Sequence, residues 1–222
     1  MIDNDIDMKN AIIFSGFAVA SLVAAMVISP IAVSALADFL NLDQVLVRKN
    51  PSGLDAIFKT NGVIPTNGNG VPSAFGYGIL TEGGNGIIVS TTHKGVLDSE
   101  TQGDDGFNPI FHNHFITLKP TTGLGCPTDA DAAVAKITFQ SPGQVSIQSA
   151  EALQARIPNS FTGTDSFTNQ PLTLSPGNNV LQAISFSLEA VGVGPGDTTP
   201  SAVCVVPEDS VVRGTGLLVQ PR

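Results

Sequence analysis

The chain holds three histidines, and all of them fall in one short stretch: His93, His112 and His114. Histidine is the commonest metal ligand and the side chain that titrates near neutral pH. Side chains alternate across a strand, so His112 and His114 share one face while Asn113 and Phe115 take the other. The run 86–93 ends in His93, on a row with Ile87, Val89 and Thr91. If the two runs pair as a hairpin, His93 comes opposite the region of His112, where directly opposed Cβ atoms lie about 5 Å apart. Three imidazoles converging from two strands can hold zinc or copper and leave a fourth position open. His112 and His114 share their row with Ile116 and Leu118, so the pair is expected to face the interior. Asn113 sits on the opposite row, which ends in Thr117 and Lys119, so its removal is expected to do little to metal binding.

The connection 94–109 is polar and acidic. Asp98, Glu100, Asp104 or Asp105 can supply a fourth ligand, or a hydrogen-bond partner that fixes an imidazole tautomer. Asp98 to Gly103 resembles the first half of a calcium loop, but Pro109 stands where the bidentate Glu belongs, which excludes a standard EF-hand. A looser cation site through Asp104 and Asp105 is what remains of that idea. The plain alternative is a solvated acidic loop beside core histidines satisfied by backbone carbonyls. Cys126 and Cys204 are the two cysteines, and in an exported protein two cysteines are expected to pair. A Cys/His copper site is the other use. It commonly draws on methionine, and Met1, Met8 and Met26 all precede residue 38. No Gly-x-Ser-x-Gly nucleophile elbow occurs.

The elements that would position these residues read as strands. Short β-prone runs at 44–49, 54–60, 75–81, 86–93, 110–119, 134–140, 144–148, 171–174, 180–190, 202–206 and 216–219 alternate with clusters of Gly, Pro, Asn and Ser. Ser141-Pro142-Gly143 has Pro and Gly at the two central positions of a turn. Residues 61–72 read as a long exposed loop. The helix formers at 149–156 predict two helical turns ending at Ile157-Pro158, and Asp129 to Ala135 predicts one more. The expected fold is all-β: an antiparallel β-sandwich or barrel with Greek-key-like connections, preceded by an N-terminal signal or anchor helix.

That leader is the segment from Ala11 to Ala37, which carries no charge. Ala35-Leu36-Ala37 places small residues at −3 and −1 of a signal-peptidase site, and Met8-Lys9-Asn10 makes a natural signal start. Residues 1–37 therefore read as a signal peptide. An uncleaved membrane anchor is the rival, since about 20 apolar residues span a bilayer. Pro30 interrupts the run and favours cleavage. Residues 38–222 then make a single β-sandwich domain.

The net charge is −9. An acidic chain without a basic stripe repels phosphate backbones, which excludes nucleic acid as a partner. With no Trp and a single Tyr, Tyr77, the chain lacks the rings on which sugar-binding modules stack their ligands. These features give a secreted or cell-surface protein with a structural or interaction role. Its partners would be other surface proteins or its own copies, with the membrane touched only through an uncleaved leader. The alternative is an exported zinc or copper protein using His93, His112 and His114, extending to a hydrolytic or hydration enzyme. The first reading needs no cofactor and no catalysis.

Overall fold

The computed structural model describes residues 38–66, 74–82, 87–93, 111–177, 179–192 and 200–220. The leader at 1–37, the acidic connection with Asp98, Glu100, Asp104 and Asp105, and the 83–86 turn lie outside the described residues. A short 3-10 turn, Asp38–Leu40, leads into the strands. These are β1 (Leu42–Asn50), β2 (Gly53–Thr60), β3 (Ala74–Thr81), β4 (Ile87–His93), β5 (His112–Lys119), β6 (Ala132–Ile137) and β7 (Gln144–Ser149). They continue as β8 (Ala152–Pro158), β9 (Phe161–Thr164), β10 (Pro171–Leu174), β11 (Val180–Val191), β12 (Ala202–Val212) and β13 (Leu217–Gln220).

The fold is all-β, with a closed barrel and a separate open sheet. Six strands close a barrel in the order β11-β12-β6-β5-β4-β3, and five form a sheet in the order β13-β1-β2-β8-β7. A small ribbon pairs β9 with β10. Inside the barrel, neighbours in sequence are neighbours in space: β3 to β6 form a meander and β11-β12 a hairpin that fills the gap. The chain passes from sheet to barrel between β2 and β3, and from barrel to sheet between β6 and β7 and between β12 and β13.

Alternation explains how one barrel strand serves two cores. Phe115 of β5, Tyr77 and Ile79 of β3 and Ala183 of β11 face the sheet and pack against Val45, Val47, Phe58, Leu153 and Ala155. The intervening positions Leu80, Val89, Ile116, Ile184 and Phe186 fill the barrel with Val134 and Val205. Strands buried on both faces read as continuous apolar runs, and β3 (AFGYGILT) is one. Gly76 on β3 allows a close approach, because a Cβ there would collide with the Ser90 carbonyl and Thr91 of β4.

Four expectations are corrected. The expected helix at 149–156 is mostly β8, with Leu153, Ala155 and Ile157 buried between β2 and β7. The expected turn of helix at 129–135 becomes strand from Ala132 onward. The sheets are not wholly antiparallel, since β13 runs parallel to β1, Val45 opposite Leu217. The loop beginning at 61 is not exposed throughout: Ile64 is buried, with its N–H donating to the Ala150 carbonyl at 2.7 Å.

Cys126 and Cys204 are disulfide-bonded, 78 positions apart, with Cα atoms 5.7 Å from each other. The bond joins the segment before β6 to β12. The β6–β12 ladder pairs only Cys204 with Ala133 and Val205 with Ala132. The covalent link thus sits beside the shortest seam of the barrel. Among the described residues, no helix is long and apolar enough to cross a membrane.

Candidate functional site

β5 carries the candidate site because its register is fixed on both sides. Against β4, Thr91 lies opposite His112, Ser90 opposite Asn113 and Val89 opposite His114. Val89 and Ile116 belong to the barrel core, so the row holding His112 and His114 faces the barrel interior. Both rings are buried, His112 at 3% and His114 at 1% exposure. Their centroids are 4.6 Å apart, edge to face. His114 Nδ1 lies 2.6 Å from the Thr138 carbonyl oxygen. A carbonyl only accepts, so Nδ1 carries the proton and donates. In the neutral ring the lone pair then sits on Nε2.

His93 ends β4, and its backbone pairs with Ala74 of β3. It stands two positions beyond Thr91, about 7 Å along the strand, and four beyond Val89, about 13 Å. By backbone position it is a neighbour of His112 more than of His114; its side chain lies outside the described residues, as do Asp98, Glu100, Asp104 and Asp105. Among the described residues, no group of three or more His, Cys, Asp and Glu side chains comes together to hold a metal ion. Deeper in the barrel is a cavity of about 30 Å³. Thr91 is its one polar lining residue; Val89, Ile116, Phe186 and Val205 are among the others.

Asn113 has a role of its own that the sequence did not show. It does point away from the histidines, but toward the five-stranded sheet, and it is fully buried. Its Oδ1 accepts from the Ser90 hydroxyl at 2.7 Å. Its Nδ2 donates to the Pro142 carbonyl at 3.0 Å and to those of Gln144 and Arg156 at 3.3 Å. Its backbone N–H donates to Ser141 Oγ at 3.1 Å. One amide therefore fastens the barrel to the β6–β7 turn and to β8. Both rows of β5 are buried where the histidines lie; the strand becomes partly exposed only from Thr117.

Asp165 was also missed. It is buried, with Oδ1 accepting from the Phe167 N–H at 3.2 Å and Oδ2 from the Thr168 hydroxyl at 2.9 Å. The spacing Asp-x-x-Thr is the only local signal of such a turn. Tyr77 donates to the Phe39 carbonyl at 2.6 Å, and burial pushes its hydroxyl pKa well up from the ordinary tyrosine value. Comparison with known protein families, with curated proteins and with solved structures gives no match.

Proposed function

We propose that this is an exported protein of the cell surface or extracellular space, with a structural or interaction role. The observation that carries the reading is where the reactive side-chain types are spent. Asn113 and His114 bond the backbone of other strands and turns, Asp165 bonds within its own turn, and the two cysteines staple the barrel seam. A disulfide in a two-cysteine chain fits an oxidising compartment. The leader-like segment before Asp38 agrees with it. The protein recovered from medium or cell surface should begin at Asp38 on N-terminal sequencing. Cytoplasmic protein with two free thiols would sink the reading.

A second reading is zinc or copper binding by His112 and His114 with His93. It is favoured by the Thr138 carbonyl on Nδ1, the arrangement that leaves Nε2 as the metal-binding nitrogen in many metal-ligating histidines. Under this reading His112→Ala and His114→Ala each abolish stoichiometric metal by elemental analysis, and a chelator lowers the melting temperature of the wild type. If the rings only fill space, each substitution costs about 1–3 kcal/mol and leaves metal content and chelator response unchanged.

A further inference from the structure

The two edges of the five-stranded sheet differ. β13 is four residues long and is followed in sequence by Pro221 and Arg222. Short length, proline and charge are the usual means of blocking an edge. β7, at the other edge, has six residues, none of them charged and none proline. It pairs with β8 alone among the described residues, and every position but Val145 is exposed. Such an edge offers its outward N–H and C=O groups to another strand. Gln148 Nε2 donates to Ser146 Oγ at 2.6 Å, so these two side chains share the outer face. Val145 packs against the core on the inner face, and Ile147, 38% exposed, follows it by alternation at the rim. The register against β8 shifts only after Ile147, so the stretch up to it is regular.

The strand reads nearly the same in both directions. Gln144-Val145-Ser146-Ile147-Gln148 has Ser146 at its centre, a β-branched residue on each side and a glutamine beyond each. We propose that β7 pairs antiparallel with β7 of a second copy, about a two-fold axis through Ser146, so that the two sheets continue as one. The inference rests on the structural reading above and names its partner. In this register Ser146 faces Ser146, Val145 faces Ile147 and Gln144 faces Gln148. A second copy is the occupant because the order of residues is its own complement. Val145 of each copy covers the exposed Ile147 of the other, and opposed side chains of this kind are what hold neighbouring strands together. The nearest charges do not oppose the contact. Arg156, opposite Gln144 on β8, lies at one end of the strand with Asp55 3.9 Å away, and Glu151 lies just past the other end. The axis brings the Arg156 end of one copy beside the Glu151 end of the other. A two-fold contact uses the same patch on both copies, so it closes as a dimer.

Sedimentation of the disulfide-bonded protein across a concentration series tests this. One strand makes a small contact, so the dimer should be transient, its fraction rising with concentration and no larger species following it. Ser146→Lys sets two ammonium groups face to face on the axis, and Ser146→Asp two carboxylates. Each variant should be monomeric, with the melting temperature of wild type because Ser146 is exposed. Mixed in equal amounts, the two should form a dimer with one chain of each, since lysine then faces aspartate. Salt at about 1 M should weaken this mixed dimer more than the wild-type one. Leu218→Lys, on β13, should dimerise like wild type. Wild type that stays monomeric up to about 1 mM overturns the pairing. So does S146K or S146D that dimerises like wild type, a mixture that stays monomeric, or a dimer that Leu218→Lys abolishes. Wild type that stays monomeric yet binds extended peptides of unrelated sequence makes β7 an edge for another protein and overturns the pairing too. An exported, disulfide-bonded monomer would remove the dimer and leave the structural reading standing.

Discussion

Asn113 is the polar residue that ties β5 to the β6–β7 turn and to β8. Removing its amide takes a buried partner from the Ser90 hydroxyl and the Pro142 carbonyl, and a part-buried one from the carbonyls of Gln144 and Arg156. Asn113→Ala should lower stability by about 2–4 kcal/mol, read as a shift in denaturation midpoint. A change within a few tenths of a kcal/mol would show that the amide's partners are satisfied without it. Tyr77 gives a pH-dependent prediction. Burial disfavours its ionised form, so its folded pKa is raised. The contribution is fully present below the unfolded value of about 10 and is lost as pH rises above it. Tyr77→Phe should cost about 1 kcal/mol at neutral pH, through the lost bond to Phe39, and should soften the fall in stability above about pH 10. Equal alkaline slopes in both proteins would defeat this. At this scale the sequence showed that His112 and His114 share a face directed inward. It could not show the role of Asn113, because that residue's partners come from a turn and a strand 28 to 43 positions further on.

The elements were more legible than their pairings. β10 lies where its alternation placed it, at 171–174, and most other strands agree within a few residues. β8 shows what propensity misses. Ala152, Leu153, Gln154 and Arg156 are good helix formers, yet Leu153, Ala155 and Ile157 alternate with Gln154 and Arg156. The alternation matches β2 on one side and β7 on the other, and pairing outweighs a propensity of a few tenths of a kcal/mol per residue. β9 (FTGT) is too short to show a period. The turn before β7 was legible and can be tested. Gly143 has φ of 85°, and a Cβ there would strike the Arg156 carbonyl. Gly143→Ala should cost about 1–3 kcal/mol in a denaturation curve, whereas Gly123→Ala, at a similar φ with open space around it, should cost less.

For the whole molecule, the barrel's weak place and its covalent bond coincide. Chain-entropy arithmetic for a closed loop of 78 residues gives about 4–5 kcal/mol of stabilisation. Cys126→Ser with Cys204→Ser should therefore lower the denaturation midpoint substantially. Hydrogen exchange should rise first in β6 and β12, whose ladder is two pairs long, before it rises in β1 and β2. Uniform acceleration across both layers would mean that the bond holds the whole fold and not the seam.

The parallel pairing of β13 with β1 sets a timetable. Arg48 and Gln220 touch across 172 positions, so β1 waits unpaired on that side while all the intervening chain is made. At 5–20 residues per second, that wait is roughly 10–30 s. During it the five-stranded sheet lacks the edge that β13 completes. The finished sheet forms only after the last strand has followed the first.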